Sequence, residues 1–386
     1  MDRIVTQLGI LNETNEQETR VALTPDVLKR LDKLGYSVVI ESGAGLPAGY
    51  TDQNYTEHGA AVEADANPIW SKSDIVAVLN PPSIDNVRKM KQGAILLGQL
   101  WAVQNPDLMA ACQEQKVTVM ALEAVPRTSR AQSVDALSAM GNLAGYKSVL
   151  LGAAESVKVF PLMMTAAGTL QPARVFILGA GVAGLQAIAT AKRLGAKVEA
   201  YDVRPAVKEQ VESLGATFVE FDLGTAEGEG GYAREQTAEE QEKQRQAMSK
   251  VIAEADVVIT TAAIPGRPAP KLVDEDQVKG MKPGSVIVDM AAATGGNCTL
   301  TEPGKTVKKH NISIVGPTNL PATMPFHASQ TYAKIIQTLL SWMVDKEKNF
   351  NLNFEDDVIG TMTVVHEGEV RWDPLKEVLN KEGASA

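Results

Sequence analysis

The sequence predicts an α/β protein of two doubly wound, Rossmann-like domains with an interdomain cleft. Three observations carry the prediction. Short β-branched runs alternate with helical patterns through both halves of the chain, the rhythm of a parallel sheet covered by helices. A glycine-rich turn, "ILGAGVAG", opens the second series. The length, 386 residues of which 44% are hydrophobic, suffices for two or three packed cores.

The first series runs "VTQLGI", "LTPDVLKRLDKLG", "YSVVIES", "TDQNYTEHG", "DIVAVLN", "GAILLGQL", "PDLMAACQEQK" and "VTVMALEAV". Thr24 suits an N-cap with Pro25 at the first helical position, and Gly35 suits the stop. A long helix follows in "VDALSAMGNLAGYKSVLLGAAESV", where Gly141 and Gly145 share a face that a neighbouring element can approach closely. The second series begins at "ARVFILGAGVAGLQAIATAKRLGAKVEAYDVR" and continues through "ATFVEFDL", "ADVVITTA", "GSVIVDMA" and "ISIVG". One more apolar helix, "HASQTYAKIIQTLLSWMV", precedes a charged tail region. The first series lacks a last helical layer, so residues from Phe326 onward are expected to return to it. The expected domains are residues 1–130 with 326–386, and residues 131–325.

Two segments depart from the rhythm. Gly224 to Ala247 is rich in Gly, Glu and Gln; a long insertion of this kind is a functional lid or a disordered loop. Glu239 to Ala247 also suits a solvated helix. "ESGAGLPAG" has Gly43, Gly45 and Gly49, but its third glycine is one residue late and Pro47 interrupts it, so an ordinary turn is expected.

The net charge of −10 argues against nucleic-acid and anionic-lipid partners. Cys112 and Cys298 are far apart and lack CxxC spacing, which points to buried thiols in a reducing compartment. His58, His310, His327 and His366 show no ligand spacing, and no metal site is expected. The start, "MDRIVTQLGIL", lacks the apolar core of a signal peptide. No run of about 20 apolar residues marks a membrane span; "KIIQTLLSWMV" reads as a packed helix.

Gly179, Gly181 and Gly184 form GxGxxG between strand and helix patterns, the context a dinucleotide site requires. Gly179 allows the tight turn, Gly181 the approach of pyrophosphate, and Gly184 the contact of helix with strand. The phosphates would rest on the helix N-terminus. "KVEAY" ends at Asp202, placed to hold both adenine-ribose hydroxyls. It also repels a 2′-phosphate by roughly 4 kcal/mol at about 4 Å. Arg204 offsets part of this, and NAD(H) is expected over NADP(H).

The polar stretch "RTSRAQSVDALS" invites two readings. Ser129-x-x-Gln132 fits a capping box, Asp135 a helix first turn, and Arg127 and Arg130 interdomain ion pairs. Yet the stretch follows the carboxyl end of the strand "VTVMALEAV", where a doubly wound sheet binds its ligands, facing the expected cleft. Chemistry alone leaves both open.

A resemblance bears on the choice. "ETRVALTPDVLKRLDKLG", "PRTSRAQSVDALSAMGNLAGYKSV" and "GAGVAGLQAIATAKRLGAKVEAYDVR" are similar to the family shared by alanine dehydrogenase and the NAD(H)-binding part of proton-translocating nicotinamide nucleotide transhydrogenase. "KPGSVIVDMAAATGGNC" and "EPGK" extend the likeness over nearly the whole chain, and "RAQSxD" is specific to the transhydrogenase branch. Leu11 stands where the family usually has proline, with no functional residue affected. The resemblance implies that Arg127, Gln132, Asp135 and Ser138 contact the nicotinamide end. It also implies that "GGYARE", with Gly231 and Tyr232, closes over the nucleotide. Ser129, Val182, Val203, Arg204 and Ala263 complete the expected cofactor contacts.

The branch follows from chemistry. An amino-acid dehydrogenase moves a proton as well as a hydride and needs an acid/base group. Where alanine dehydrogenase has a lysine and a histidine, this chain has Asn80 and Gln99. Arg20 remains as an anchor for a carboxylate. Transhydrogenation moves only hydride and needs two nicotinamide C4 atoms about 3–3.5 Å apart. The resemblance further implies a homodimer, an NADP(H)-binding domain on a beta subunit, and a membrane-embedded subunit. It places the chain in the cytoplasm, peripheral on the inner face of a membrane. The rival readings are an alanine dehydrogenase-like enzyme and a non-catalytic NAD(H)-sensing module.

Overall fold

The computed structural model describes residues 6–220, 238–263 and 267–383, apart from Thr14 and Glu16. The chain divides into two compact units, Met1–Met140 with Ala322–Ala386, and Gly141–Pro321.

The first unit opens with β1 (Thr6–Ile10), α1 (Pro25–Leu34), β2 (Tyr36–Glu41), α2 (Asp52–Glu57), β3 (Ala61–Glu63) and α3 (Ala66–Lys72). It continues with β4 (Ile75–Val78), α4 (Ile84–Lys89), β5 (Ile95–Gly98), α5 (Pro106–Glu114) and β6 (Thr118–Ala121). Local chemistry sets these boundaries. Pro25 starts α1 and Gly35 ends it at φ 100°, a left-handed conformation that glycine adopts without strain. Thr51 caps α2 in a reciprocal capping box with Asn54. β4, β5 and β6 are buried at every position, as strands covered on both faces must be. In "ESGAGLPAG" a side chain at Gly45 would strike the Tyr55 ring, so its glycine serves packing in an ordinary turn.

The long helix α6 (Ala136–Glu155) leads into the second unit. There follow β7 (Met163–Thr165), β8 (Gly168–Leu170), β9 (Arg174–Leu178), α7 (Val182–Arg193), β10 (Lys197–Tyr201), α8 (Lys208–Ser213) and β11 (Thr217–Phe218). The unit continues through α9 (Ala238–Glu254), β12 (Val257–Thr260), α10 (Glu275–Gly280), β13 (Val286–Asp289), β14 (Thr306–Lys309) and β15 (Ile312–Val315). The last stretch adds α11 (Pro325–Trp342), α12 (Asp357–Met362), β16 (Thr363–His366), β17 (Glu369–Val370) and α13 (Asp373–Gly383) to the first unit.

Two large sheets result, ordered β17-β16-β6-β5-β4-β1-β2-β3 and β11-β10-β9-β12-β13-β15-β14. Their central strands are parallel, and the order reverses beside β1 and β9, as in doubly wound folds. The charged tail region is more than a helical layer. β16 lies antiparallel on β6, and Glu367 (φ 49°) with Gly368 (φ 84°) turns the chain into β17. Two left-handed residues suit the twist of a tight hairpin, but Glu-Gly is a weak sequence signal for it.

β7 and β8 form an unforeseen hairpin, exposed at all its positions. Leu162, Met163, Met164 and Leu170 stand out in solvent from it. Among the described residues no helix is long and apolar enough to cross a membrane. α11 instead buries Tyr332, Ile335, Ile336, Leu339 and Leu340. Both cysteines are buried and free, and burial pushes the Cys112 thiol up to about 12.

Candidate functional site

In the second unit, β9 ends at Leu178 and the chain turns sharply at Gly179, φ 100°. Each glycine of the motif answers a different steric demand. A Cβ on Gly179 would lie 2.5 Å from Thr261 Oγ1, and one on Gly184 would lie 1.9 Å from the Gly179 carbonyl oxygen. A Cβ on Gly181 would meet nothing within 4 Å. The first and third glycines therefore close the turn against the chain, while Gly181 leaves a face open. That face lies at the start of α7, whose N-cap is Gly181 with no side-chain cap. First-turn N–H groups of a helix lack intrahelical partners and attract anions. The opposite end of α7 carries Lys192 and Arg193, complementing its dipole. A diphosphate fits this cradle in charge and in space.

Asp202 follows β10 and ties the loop to the next strand. Its Oδ2 accepts from Ala180 N at 2.8 Å, and its Oδ1 from Arg204 N at 2.9 Å. Arg204 also grips it through Nε at 2.9 Å and Nη2 at 3.0 Å. Val182 is exposed on the first turn of α7, Val203 is half-buried beside Asp202, and Ala263 is exposed after β12. Gly231 and Tyr232 lie outside the described residues. The solvated helix expected at Glu239 to Ala247 falls within α9.

Sequence reasoning missed the buttress beneath this loop. Thr261 donates its hydroxyl to Gly179 O at 3.1 Å, and Thr261 N bonds Leu178 O at 2.8 Å. Buried Asn297 holds the next residue, accepting from Ala262 N at 3.1 Å and donating to Ala262 O at 2.8 Å. Only "GGNC" hinted at Asn297, and nothing in it revealed the partner. Gly145 has a defined use: a Cβ there would sit 2.1 Å from the Ala183 carbonyl, so α6 passes against the first turn of α7. Gly141 makes no such approach.

In the first unit, Arg127 to Ser138 follows β6. Ala131 and Val134 are buried anchors of a short 3-10 turn, while Arg127, Ser129 and Gln132 are exposed. The helix cap is Asp135 rather than Ser129. Asp135 Oδ1 accepts from Ser138 N at 2.8 Å and Oδ2 from Ser138 Oγ at 2.6 Å, just as α6 begins. Arg130 forms its ion pairs inside the first unit. It donates to Asp356 at 2.6 Å and Asp357 at 2.8 Å, and its guanidinium lies 4.4 Å from the Trp342 ring centroid. Burial would raise the Asp356 carboxyl, but Arg130 and the α12 N–H groups hold it below the usual range. Gln132 thus projects from a loop clamped on both sides.

A buried polar cluster sits at the carboxyl end of β4. Arg20 grips Glu18 through Nε at 2.7 Å and Nη2 at 2.6 Å. Asn80 Nδ2 bridges Glu13 Oε2 at 3.1 Å and Glu18 Oε2 at 3.0 Å. Arg20 is therefore already engaged by a carboxylate of its own chain. Burial would raise Glu18 too, but Arg20 and Asn80 hold it low. Glu13 is pushed up to about 7 by burial, against its bonds to Leu79 N and Asn80. A group that titrates near neutrality thus stands beside Asn80, which the reading of Asn80 and Gln99 alone overlooked.

Comparison with known proteins agrees with this fold. Residues 9–144 match the alanine dehydrogenase/PNT N-terminal domain, and residues 148–373 match the alanine dehydrogenase/PNT C-terminal domain. The chain is 45% identical to NAD(P) transhydrogenase subunit alpha of Haemophilus influenzae, covering 94% of this chain and 71% of that one. The structure resembles a transhydrogenase from Sinorhizobium meliloti, TM-score 0.83 and 38% identity, over 95% of this chain and 99% of that one. It also resembles an L-alanine dehydrogenase, TM-score 0.81 and 25% identity, over 97% and 99%. The chain belongs to the alanine dehydrogenase/PNT family, on the side of the transhydrogenase alpha subunits.

Proposed function

We propose that this chain is the NAD(H)-binding component of a proton-translocating transhydrogenase, passing hydride between NADH and NADP⁺ bound on a partner subunit. The observation that carries the reading is the open face over Gly181 at the start of α7, with the Asp202 carboxylate at the end of the adjacent strand. Diphosphate rests on the helix N-terminus and the adenine ribose meets Asp202. Arg127, Gln132, Asp135 and Ser138 address the nicotinamide end. Gln132, exposed on its clamped loop, orients the ring, and the Asp135–Ser138 pair holds the loop's far side. In the transfer, the C4–H bond of NADH breaks and its hydride forms the new C4–H bond of NADPH, leaving NAD⁺. No proton moves at the site, so no general base is called for.

The partner is the NADP(H)-binding domain of a beta subunit, and a membrane-embedded subunit couples transfer to protons. The chain thereby sits on the cytoplasmic face of a membrane without spanning it. A second copy of the chain covers the exposed apolar hairpin at Met163, Met164 and Leu170, giving a homodimer. Changing these residues to Ser should shift the dimer toward monomer in sedimentation.

Mixing the chain with the isolated NADP(H)-binding domain, NADH and an NADP⁺ analogue tests the central claim. Hydride should appear on the analogue only when both proteins are present. Tight NADH binding without exchange would favour a sensor. Alanine-dependent NADH formation by the chain alone would favour the amino-acid dehydrogenase, with Glu13 as its acid/base group.

A further inference from the structure

We infer that the Arg204 side chain competes with the adenine ribose for Asp202, and so sets both the grip on NAD(H) and the sharpness with which a 2′-phosphate is rejected. The inference rests on the reading above that Asp202 receives the ribose. A carboxylate offers about four acceptor positions. In Asp202 the Ala180 and Arg204 backbone N–H groups take two, and Arg204 Nε and Nη2 take two more. The backbone donors are fixed by the turn and by the glycine loop. The side-chain fork belongs to a flexible residue that is 26% exposed, beside a carboxylate that is only 7% exposed.

A ribose diol brings two O–H donors, the number that the fork supplies. It reaches Asp202 by exchange: the fork leaves and the diol replaces it. Charge-assisted bonds are thereby traded for neutral ones. Each binding event spends part of its affinity on evicting Arg204. A 2′-phosphate is in the opposite position, since it carries acceptors and cannot replace a donor fork. It meets Asp202 as a bare charge unless Arg204 turns to pair with it. Arg204 therefore weakens NAD(H) and softens the exclusion of NADP(H), narrowing the gap between them.

Calorimetric titration of the full chain with NADH, 5′-AMP and NADPH tests this in wild type, Arg204→Ala, Arg204→Lys and Asp202→Ala. Arg204→Ala should bind NADH and 5′-AMP about three- to fivefold tighter, the range for a partly exposed ion pair. It should bind NADPH more weakly by a similar factor. Arg204→Lys, which keeps the charge and loses the fork, should fall between. Unchanged or weaker NADH binding in Arg204→Ala, with Asp202→Ala weakened, overturns the competition and leaves the ribose reading intact. Unchanged NADH binding in Asp202→Ala overturns both. Should Arg204→Ala misfold, nitrogen-15 spectra of the wild type decide. The Arg204 Nε–H signal should move and exchange faster with 5′-AMP, and a signal that stays put refutes the exchange.

Discussion

The glycine loop of the second unit and the Arg127–Ser138 loop of the first hold their shapes by opposite means. The glycine loop is shaped by missing side chains. Gly179 and Gly184 close on backbone and on Thr261, and Gly181 opens outward, all within six consecutive residues. The polar loop is shaped by side chains that reach far along the chain. Arg130 finds Asp356 and Asp357 more than two hundred residues later, while Asp135 and Ser138 clasp each other nearby. A loop held by local sterics is written in its spacing, whereas one held by distant ion pairs is not.

The sharpest way to break the comparison is within the glycine loop itself. Gly184→Ala drives a methyl into the Gly179 carbonyl, so the second unit should lose about 3 kcal/mol or more in urea unfolding. Gly181→Ala meets no neighbour, so stability should change by about 0.5 kcal/mol at most. Its methyl occupies the face that a diphosphate must approach, and NADH binding should fall at least about tenfold. Equal losses of stability in the two variants would mean that Gly181 is also a packing glycine.

In the polar loop the expected signature is reversed. Gln132→Asn shortens the exposed side chain and should slow hydride transfer by about tenfold to a hundredfold, the scale of a displacement near 1 Å. NADH affinity should stay within about twofold, because the proposed diphosphate and ribose contacts lie elsewhere. Parallel losses in rate and affinity would make Gln132 a simple binding contact.

Arg130→Ala should act more mildly. Its ion pairs are partly exposed, so stability should drop by at most about 1 kcal/mol. The loop loses one clamp, and transfer should slow about tenfold with NADH affinity held. Arg130→Lys should recover part of the rate, since a lysine keeps the charge without the bidentate fork or the flat stacking on Trp342. An unaltered transfer rate in Arg130→Ala would show that Ala131, Val134 and the Asp135–Ser138 pair suffice to hold the loop.

The same contrast explains what could be read in advance. The parallel strands were legible because burial on both faces leaves only apolar, β-branched runs, as in "DIVAVLN" and "GSVIVDMA". GxGxxG and Asp202 were legible because turn, helix start and acid lie in one βαβ unit. The β16–β17 hairpin was hidden because its pairing partner, β6, is distant in sequence and its turn is Glu-Gly. The cap at Asp135 was masked by a second match to the capping pattern six residues earlier. Thr261 and Asn297 were invisible because their work is to hold backbone, which any polar residue in a loop could do.

The Glu13 cluster extends the lesson to a property that no motif encodes. In the unfolded chain Glu13 titrates near 4.5, and in the folded protein burial moves it to about 7. Between these values the folded state binds the proton more tightly, so the protonated carboxyl stabilises the fold. That contribution is complete below about 4.5 and is lost as pH rises through about 7. It amounts to something on the order of 3 kcal/mol, since a tenfold change in proton affinity is worth about 1.4 kcal/mol. Glu18, held low by Arg20, works the other way and fails only in acid below the ordinary carboxylate range. The Leu79 amide, bonded to Glu13 at 2.6 Å, is a local reporter. Its amide proton resonance should titrate from about pH 5.5 to about 7.5 in the wild type, moving downfield as the carboxylate forms and strengthens the bond, an interval that spans the folded-state titration. In Glu13→Gln, which stays neutral throughout, it should be flat across the same interval. A wild type as flat as the variant would mean that Glu13 keeps its ordinary acidity. The site beside Asn80 would then lose its neutral-range titrating group, and amino-acid dehydrogenation the support that group lends it.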